Sequence, residues 1–118
     1  MRIRVLVAEH VDVLRETLVA LLELDGDLTV VARPVRADQV VPDALTHRPE
    51  VALVDVDLPD TGGLAVAEAL AGRLPGCRVL VLTGLAPVPR AAGVSGFLDR
   101  DGPAGRLIAA VRAPRRSA

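Results

Sequence analysis

The sequence has very few of the residues on which covalent cross-links and base stacking depend. It contains one cysteine, Cys77, and one aromatic residue, Phe97, with no tryptophan or tyrosine. A single cysteine excludes an intramolecular disulfide and a zinc site built on paired cysteines, so we interpret Cys77 as a core residue. A single aromatic side chain excludes a surface on which successive bases stack.

The charge balance and the lengths of the apolar runs exclude two further classes of protein. There is no lysine, the net charge is −1 and the pI is near 6.1. This balance provides no basic surface that could neutralise phosphates, so we expect no direct binding of nucleic acid. No apolar run approaches the length of a membrane span, and the start of the chain has no signal-peptide pattern. We therefore predict a cytoplasmic protein without membrane contact.

The length and hydrophobic content predict one domain with its own core. The chain has 118 residues, of which 51% are hydrophobic. This is enough to bury a sizeable core without disulfides or a structural metal. We assign residues 1–113 to the domain and residues 114–118 to a C-terminal tail or the start of a linker.

Five apolar runs predict strands, and helical patterns alternate with them along the chain. The runs are Ile3–Ala8, Leu28–Ala32, Val51–Val54, Val79–Leu82 and Ser95–Leu98. Three of them contain continuous branched residues, which is typical of parallel strands covered on both faces. The alternation predicts an α/β fold with a doubly wound, five-stranded parallel sheet and helices on both faces.

Apolar spacing and end signals predict the helices. The first has Leu14, Leu18, Leu21 and Leu22 on one face and ends at Asp25–Asp27, the second covers Ala37–His47, the third covers Gly63–Arg73, and the last starts near Pro103. Pro87 and Pro89 lie where a helix between the fourth and fifth strands is expected. Because proline obstructs a helix interior, we predict that this helix is shortened or missing, with a short turn at most around Arg90 to Ala92.

Polar residues follow four of the five strands, where doubly wound sheets bind their ligands. They are Glu9, His10, Asp55, Thr83 and Arg100. Since the carboxyl ends of parallel strands meet at one edge of the sheet, we expect these side chains to share a cleft.

Four segments in this order resemble response-regulator receiver domains, especially those that precede LuxR-type helix-turn-helix domains. The segments are Val5–His10, Leu53–Pro59 with Gly62–Leu64, Leu80–Gly84 and Gly96–Asp101. The resemblance covers nearly the whole chain. It implies the flavodoxin-like strand order 2-1-3-4-5 and a signalling function in a two-component phosphorelay, with no enzyme activity beyond self-phosphorylation and dephosphorylation.

The resemblance also implies a role for each residue of the predicted cleft. Asp55 corresponds to the phospho-acceptor, and Glu9 and His10 stand where the family has an acidic pair that holds Mg²⁺. Asp57 would offer its backbone carbonyl to that metal. Thr83 corresponds to the hydroxyl that binds the phosphoryl oxygen, Phe97 to the switch aromatic and Arg100 to the family's lysine. The implied partners are a sensor histidine kinase, a DNA-binding domain in the same or another chain, and a second copy in a homodimer through the first or last helix.

Two departures from the family pattern indicate an atypical receiver. His10 replaces an acid, and losing one carboxylate about 5 Å from a cation costs roughly 3 kcal/mol at an effective dielectric near 20, which weakens Mg²⁺ binding about a hundredfold. His10 is then either a solvated side chain or a ligand of a softer ion such as Zn²⁺ or Mn²⁺. The segment from Thr83 to Arg100 is shorter than usual by roughly one and a half helical turns. We therefore also hold the hypothesis of weak or phosphorylation-independent control by a partner or small ligand.

Other interpretations of these residues stay open at this point. Asp55 can be a turn cap, Thr83 a local turn hydroxyl, Phe97 a core residue and Glu9 a solvated charge. Asp55 and Asp57 after an apolar strand also resemble the nucleophile and acid of haloacid-dehalogenase-like phosphatases, with Thr83 as their second motif. A protein-binding module that keeps the fold but is not phosphorylated is a third possibility.

Overall fold

Five parallel strands form one sheet in the computed structural model, which describes residues 2–84 and 93–113. The strands are β1 (Ile3–Ala8), β2 (Leu28–Ala32), β3 (Val51–Asp55), β4 (Arg78–Thr83) and β5 (Gly96–Asp99). Their order across the sheet is β2-β1-β3-β4-β5, with every neighbouring pair parallel. This confirms the predicted doubly wound sheet and its strand order.

Four helices in the described part of the chain cover the two faces. They are α1 (Asp12–Leu24), α2 (Ala37–His47), α3 (Gly63–Arg73) and α4 (Ala104–Arg112). The bounds of α2 and α3 are those predicted from the sequence. The predicted last helix corresponds to α4, and Pro103 is its N-cap, in agreement with a predicted start near that residue. None of these helices is long and apolar enough to cross a membrane.

Alternate residues of the central strands bury their side chains on opposite faces of the sheet. On one face Leu6, Ala52 and Val79 belong to a core with residues of α2 and α3. On the other face, neighbours such as Val7 and Leu53 belong to a core with residues of α1 and α4. This double covering explains why β3, which is buried at all five positions, has no polar residue before Asp55.

Some details differ from the sequence predictions. Leu14, Leu18 and Leu21 line one groove next to α4, which agrees with their predicted common face, although Leu14 is 38% exposed. The buried side chains of α1 are Leu22, which was predicted on that face, and Val19, which was not. The fifth strand covers Gly96–Asp99, one residue later than predicted. Cys77 is buried, as expected. The predicted short turn around Arg90 to Ala92, and with it the shortened or missing helix, falls outside the described residues.

Candidate functional site

Asp55 is the last residue of β3, and it is completely buried. Because β3 lies between β1 and β4, its end faces the residues that follow those two strands. Glu9 follows β1 directly, and Thr83 is the last residue of β4, one position beyond the register partner of Asp55. The order of the strands therefore places a buried carboxylate in the middle of the polar edge.

The two oxygens of the Asp55 carboxylate have different surroundings. Oδ1 accepts a hydrogen bond from the backbone N–H of Asp57 at 2.9 Å and another from Nη2 of Arg100 at 2.7 Å. Oδ2 lies 3.8 Å from Nδ1 of His10, and it has no hydrogen-bond partner among the described residues. One oxygen is thus held by donors, whereas the other faces the cleft beside Glu9 and His10.

Arg100 connects two carboxylates at the mouth of the cleft. Its Nη2 also donates to Oδ2 of Asp57 at 2.9 Å, and its backbone N–H donates to the carbonyl of Thr83 at 2.9 Å, which fixes the start of its side chain. The hydrogen bond with Asp57 raises the pKa of Arg100, and the charges of Asp55, Asp57 and Glu9 act in the same direction against burial. The cation is therefore fixed beside Asp55.

Glu9 is an acid held in an unusual environment. Its backbone N–H donates to the carbonyl of Pro34, and its own carbonyl accepts from the Arg15 guanidinium, so the side chain is directed inward and is only 2% exposed. Burial, followed by the contact with the Asp55 carboxylate, raises the pKa of Glu9 to about 8. Oε1 of Glu9 has no hydrogen-bond donor among the described residues unless the carboxyl groups of Glu9 and Asp55 share a proton.

His10 completes a group of three potential metal ligands. One ligand atom each from Glu9, His10 and Asp55 lies within 4.8 Å of the other two. The His10 side chain is 37% exposed, whereas the two carboxylates are buried. Two buried carboxylate oxygens without donors are suited to a divalent cation, and the exposed side leaves room for water ligands.

The remaining predicted residues lie on β4, on β5 and in the loop after β3. Thr83 is buried at the end of β4. Phe97, on β5, pairs in register with Val81 and packs partly buried against the core on the α2 and α3 face. The Asp57 side chain is 62% exposed. Its ion pair with Arg100 was not predicted, because the family resemblance implies a role only for its backbone carbonyl.

A close backbone contact holds the loop after Asp55 in place. The N–H of Gly63, the first residue of α3, donates to the carbonyl of Val56 at 3.0 Å. A Cβ atom at position 63 would lie 1.8 Å from the Asp55 carbonyl oxygen. Only glycine allows this approach, so the start of α3 determines where the backbone of Asp55 lies. The signal in the sequence is the Gly62-Gly63 pair before the apolar helix pattern.

Comparisons with known proteins identify relatives of this chain. Residues 5–112 match the family model of the response regulator receiver domain. The transcriptional regulatory protein DesR of Bacillus subtilis is 33% identical over 115 residues, which are 93% of this chain and 57% of DesR. The DNA-binding transcriptional activator DevR/DosR of Mycobacterium tuberculosis is 32% identical over 104 residues, covering 84% of this chain and 48% of that protein. The chain thus spans about half the length of these relatives.

A solved structure shows the same similarity in three dimensions. The signal receiver domain of the putative response regulator NarL from Mycobacterium tuberculosis superposes with a TM-score of 0.82 at 28% identity, covering 93% of each chain. The similarity therefore extends over almost the whole of both folds and is not confined to the cleft.

Proposed function

The chain belongs to the response regulator receiver family, and on that premise we propose that it is switched by transfer of a phosphoryl group from a sensor histidine kinase to Asp55. One observation carries the proposal. Asp55 is buried in a cleft in which Oδ1 is held by two donors, while Oδ2 faces Glu9 and His10. A nucleophile, a fixed cation and a candidate metal pocket therefore meet at one residue.

The reaction requires neutralisation of charge more than covalent help from the protein. A carboxylate oxygen of Asp55 forms a bond to phosphorus while the bond from phosphorus to the donor's imidazole nitrogen breaks, and that nitrogen keeps the electron pair. Both reactants carry negative charge, so the transition state depends on cations close to the equatorial oxygens. Arg100 supplies one such cation, since its Nη2 already lies 2.7 Å from Oδ1.

A divalent metal such as Mg²⁺ would supply the remaining positive charge when it is bound. The carboxylates of Glu9 and Asp55 and the backbone carbonyl of Asp57 would hold it, with His10 at the exposed side. Since His10 stands in place of a second acid, we expect Mg²⁺ to bind about a hundredfold more weakly than to a site with that acid.

The output of the switch follows from the charge that phosphorylation adds. An aspartyl phosphate brings new anionic oxygens to the end of β3, and a nearby hydroxyl can move to hydrogen-bond one of them. Thr83 lies at the end of the neighbouring strand, and Phe97 lies one strand further along. We propose that Thr83 moves toward the phosphoryl group and that Phe97 packs more deeply as a consequence.

We also propose that the domain acts in the control of transcription. DesR and DevR/DosR are transcriptional regulators, and each is longer than this chain. We propose that the receiver, residues 1–113, controls a DNA-binding domain in the same or a partner protein in the cytoplasm, with residues 114–118 as a tail or the start of a linker. The exposed stripe of Val13, Ala20 and Leu24 on α1 offers one surface for a homodimer.

The rival interpretations have less support. A haloacid-dehalogenase-like phosphatase is not favoured, because the family match covers residues 5–112 and receiver domains are signalling domains. A module that binds partners without phosphorylation would not need the paired contacts of Arg100 and Asp57 with the Asp55 carboxylate.

Intact-mass spectrometry tests the proposed function. The protein is incubated with acetyl phosphate and Mg²⁺, together with Asp55→Asn and, as a matched control outside the cleft, Asp43→Asn on α2. We expect one phosphoryl group on the wild type and on Asp43→Asn, and none on Asp55→Asn. No added mass at high Mg²⁺, or the same addition in Asp55→Asn, would contradict the proposal and favour phosphorylation-independent control.

A further inference from the structure

We infer that the pocket of Glu9, His10 and Asp55 selects a divalent transition-metal ion, of the Mn²⁺ to Zn²⁺ class, over Mg²⁺, with His10 Nδ1 as a direct ligand. The inference rests on the proposed function, since the ion would occupy the pocket assigned there. It goes further because it names the class of ion and makes His10 the residue that determines specificity.

The separations of the ligand atoms fit a metal centre. His10 Nδ1 and Asp55 Oδ2 are 3.8 Å apart, and the three ligand atoms lie within 4.8 Å of one another. Two ligands at about 2.1 Å from a shared ion are about 3 to 4 Å apart, depending on the angle between them. The imidazole is therefore placed to bind an ion together with Asp55 after a small movement of Glu9.

Two buried atoms indicate that something positively charged belongs in this pocket. Oε1 of Glu9 and Oδ2 of Asp55 have no hydrogen-bond partner in the described part of the chain, although their side chains are 2% and 0% exposed. Buried polar atoms of this kind are normally satisfied by a donor, a water or an ion. Arg100 does not fill this role, because it contacts Oδ1 on the other side of the carboxylate.

The chemistry of the ligands decides which ion is preferred. Mg²⁺ prefers oxygen ligands in an octahedral arrangement and keeps several waters. An imidazole nitrogen suits later first-row ions such as Co²⁺, Ni²⁺ and Zn²⁺ much better, and the affinity of such a site rises from Mn²⁺ to Cu²⁺ before it falls at Zn²⁺. Two carboxylates with one imidazole form a mixed oxygen and nitrogen set, and the exposed side of His10 leaves further positions open to water. His10, which stands in place of an acid and so weakens Mg²⁺ binding, thus favours transition-metal ions.

Metal titration of the untagged protein tests the inference. Mn²⁺, Co²⁺ and Mg²⁺ are titrated separately into the wild type, His10→Asp and His47→Asp. His47→Asp is the matched control. His47 is exposed at the end of α2, close to the start of β3, so it lies at the opposite end of the strands from the cleft. We expect Co²⁺ to bind the wild type and His47→Asp at least tenfold more tightly than Mg²⁺ does. In His10→Asp we expect Mg²⁺ affinity to rise by about a hundredfold and the preference for Co²⁺ to fall at least tenfold.

Pulsed electron paramagnetic resonance of bound Mn²⁺ provides a second measurement. Coupling to a nitrogen nucleus is expected in the wild type and in His47→Asp, and its absence is expected in His10→Asp. Bound Mn²⁺ without nitrogen coupling in the wild type overturns the inference, as does coupling that persists in His10→Asp or a lack of Mn²⁺ binding at millimolar concentration.

Phosphorylation of the same samples separates this inference from the proposed function. Phosphoryl addition to Asp55 with Mg²⁺, combined with a Mn²⁺ spectrum lacking nitrogen coupling, would leave the function standing and overturn the metal selectivity. Nitrogen coupling combined with no phosphorylation in any of the three metals would support the selectivity and overturn the function.

Discussion

Binding of Mg²⁺ should become tighter as the pH rises above neutral, because Glu9 must lose a proton before it can hold a cation. The pKa of Glu9 is raised from 4.5 to about 8 by burial and by the neighbouring Asp55, so most of the metal-free protein carries this proton at pH 7. With a pKa of 8, the deprotonated fraction of Glu9 rises about tenfold between pH 7 and pH 9. The apparent dissociation constant should fall by the same factor.

Calorimetric titration with Mg²⁺ at pH 7, 8 and 9 measures this change. The other charged groups that face Glu9 are Asp55, His10 and Arg100. Two variants separate the contribution of the acid from that of the imidazole. Glu9→Gln should bind Mg²⁺ weakly and with no pH dependence, whereas His10→Ala should keep the dependence. An affinity that is constant from pH 7 to pH 9 in the wild type would refute the reasoning.

Three further predictions concern packing, charge and stability. Gly63→Ala should destabilise the fold by about 3 kcal/mol in urea unfolding, because its Cβ would lie 1.8 Å from the carbonyl oxygen of Asp55. Gly72→Ala, in open space on the same helix, should instead stabilise the fold by about 0.5 to 1 kcal/mol. Arg100→Ala should slow phosphorylation by acetyl phosphate about a hundredfold, and Arg100→Lys should recover most of the rate because the charge is kept. In metal-free buffer the free energy of unfolding should fall by about 1 kcal/mol per pH unit between pH 5.5 and 7.5, because folded Glu9 keeps a proton that the unfolded chain releases above its ordinary pKa of 4.5. Glu9→Gln should flatten this slope.

Each of these predictions has an outcome that would contradict it. Equal unfolding midpoints for the two glycine variants would show that the backbone near Asp55 can move aside without cost. A rate for Arg100→Ala close to the wild type would mean that the guanidinium does not act on the phosphoryl group. Stability that rises with pH in metal-free buffer would contradict the protonated state of buried Glu9.

The architecture could be predicted largely because its signals are local. The strands of the sheet centre contain continuous branched residues, and the apolar spacing along α2 and α3 predicts these helices at the bounds that the structure shows. The burial of Val19 on α1 was not predicted, because helical periodicity gives the direction of a side chain but not how far the sheet extends beneath it. The start of β5 was shifted by one residue because this edge strand is only partly buried, which weakens the pattern.

The contents of the cleft could be predicted in part. Residues that follow parallel strands converge at one edge, and for this reason the structure brings Glu9 and Asp55 together with Arg100. The ion pair between Arg100 and Asp57 depends on the reach of a long side chain across a loop, which spacing along the chain does not describe. The raised pKa of Glu9 depends on burial in the folded state, so no pattern of residues predicts it.

A crystal structure with Mg²⁺ and beryllofluoride, a phosphoryl mimic, would test the central claim most directly. The account predicts beryllofluoride on a carboxylate oxygen of Asp55, with the Thr83 hydroxyl and the Arg100 guanidinium within hydrogen-bond distance of its fluorine atoms. Beryllofluoride bound at another residue, or at Asp55 with both of these side chains turned away, would contradict it.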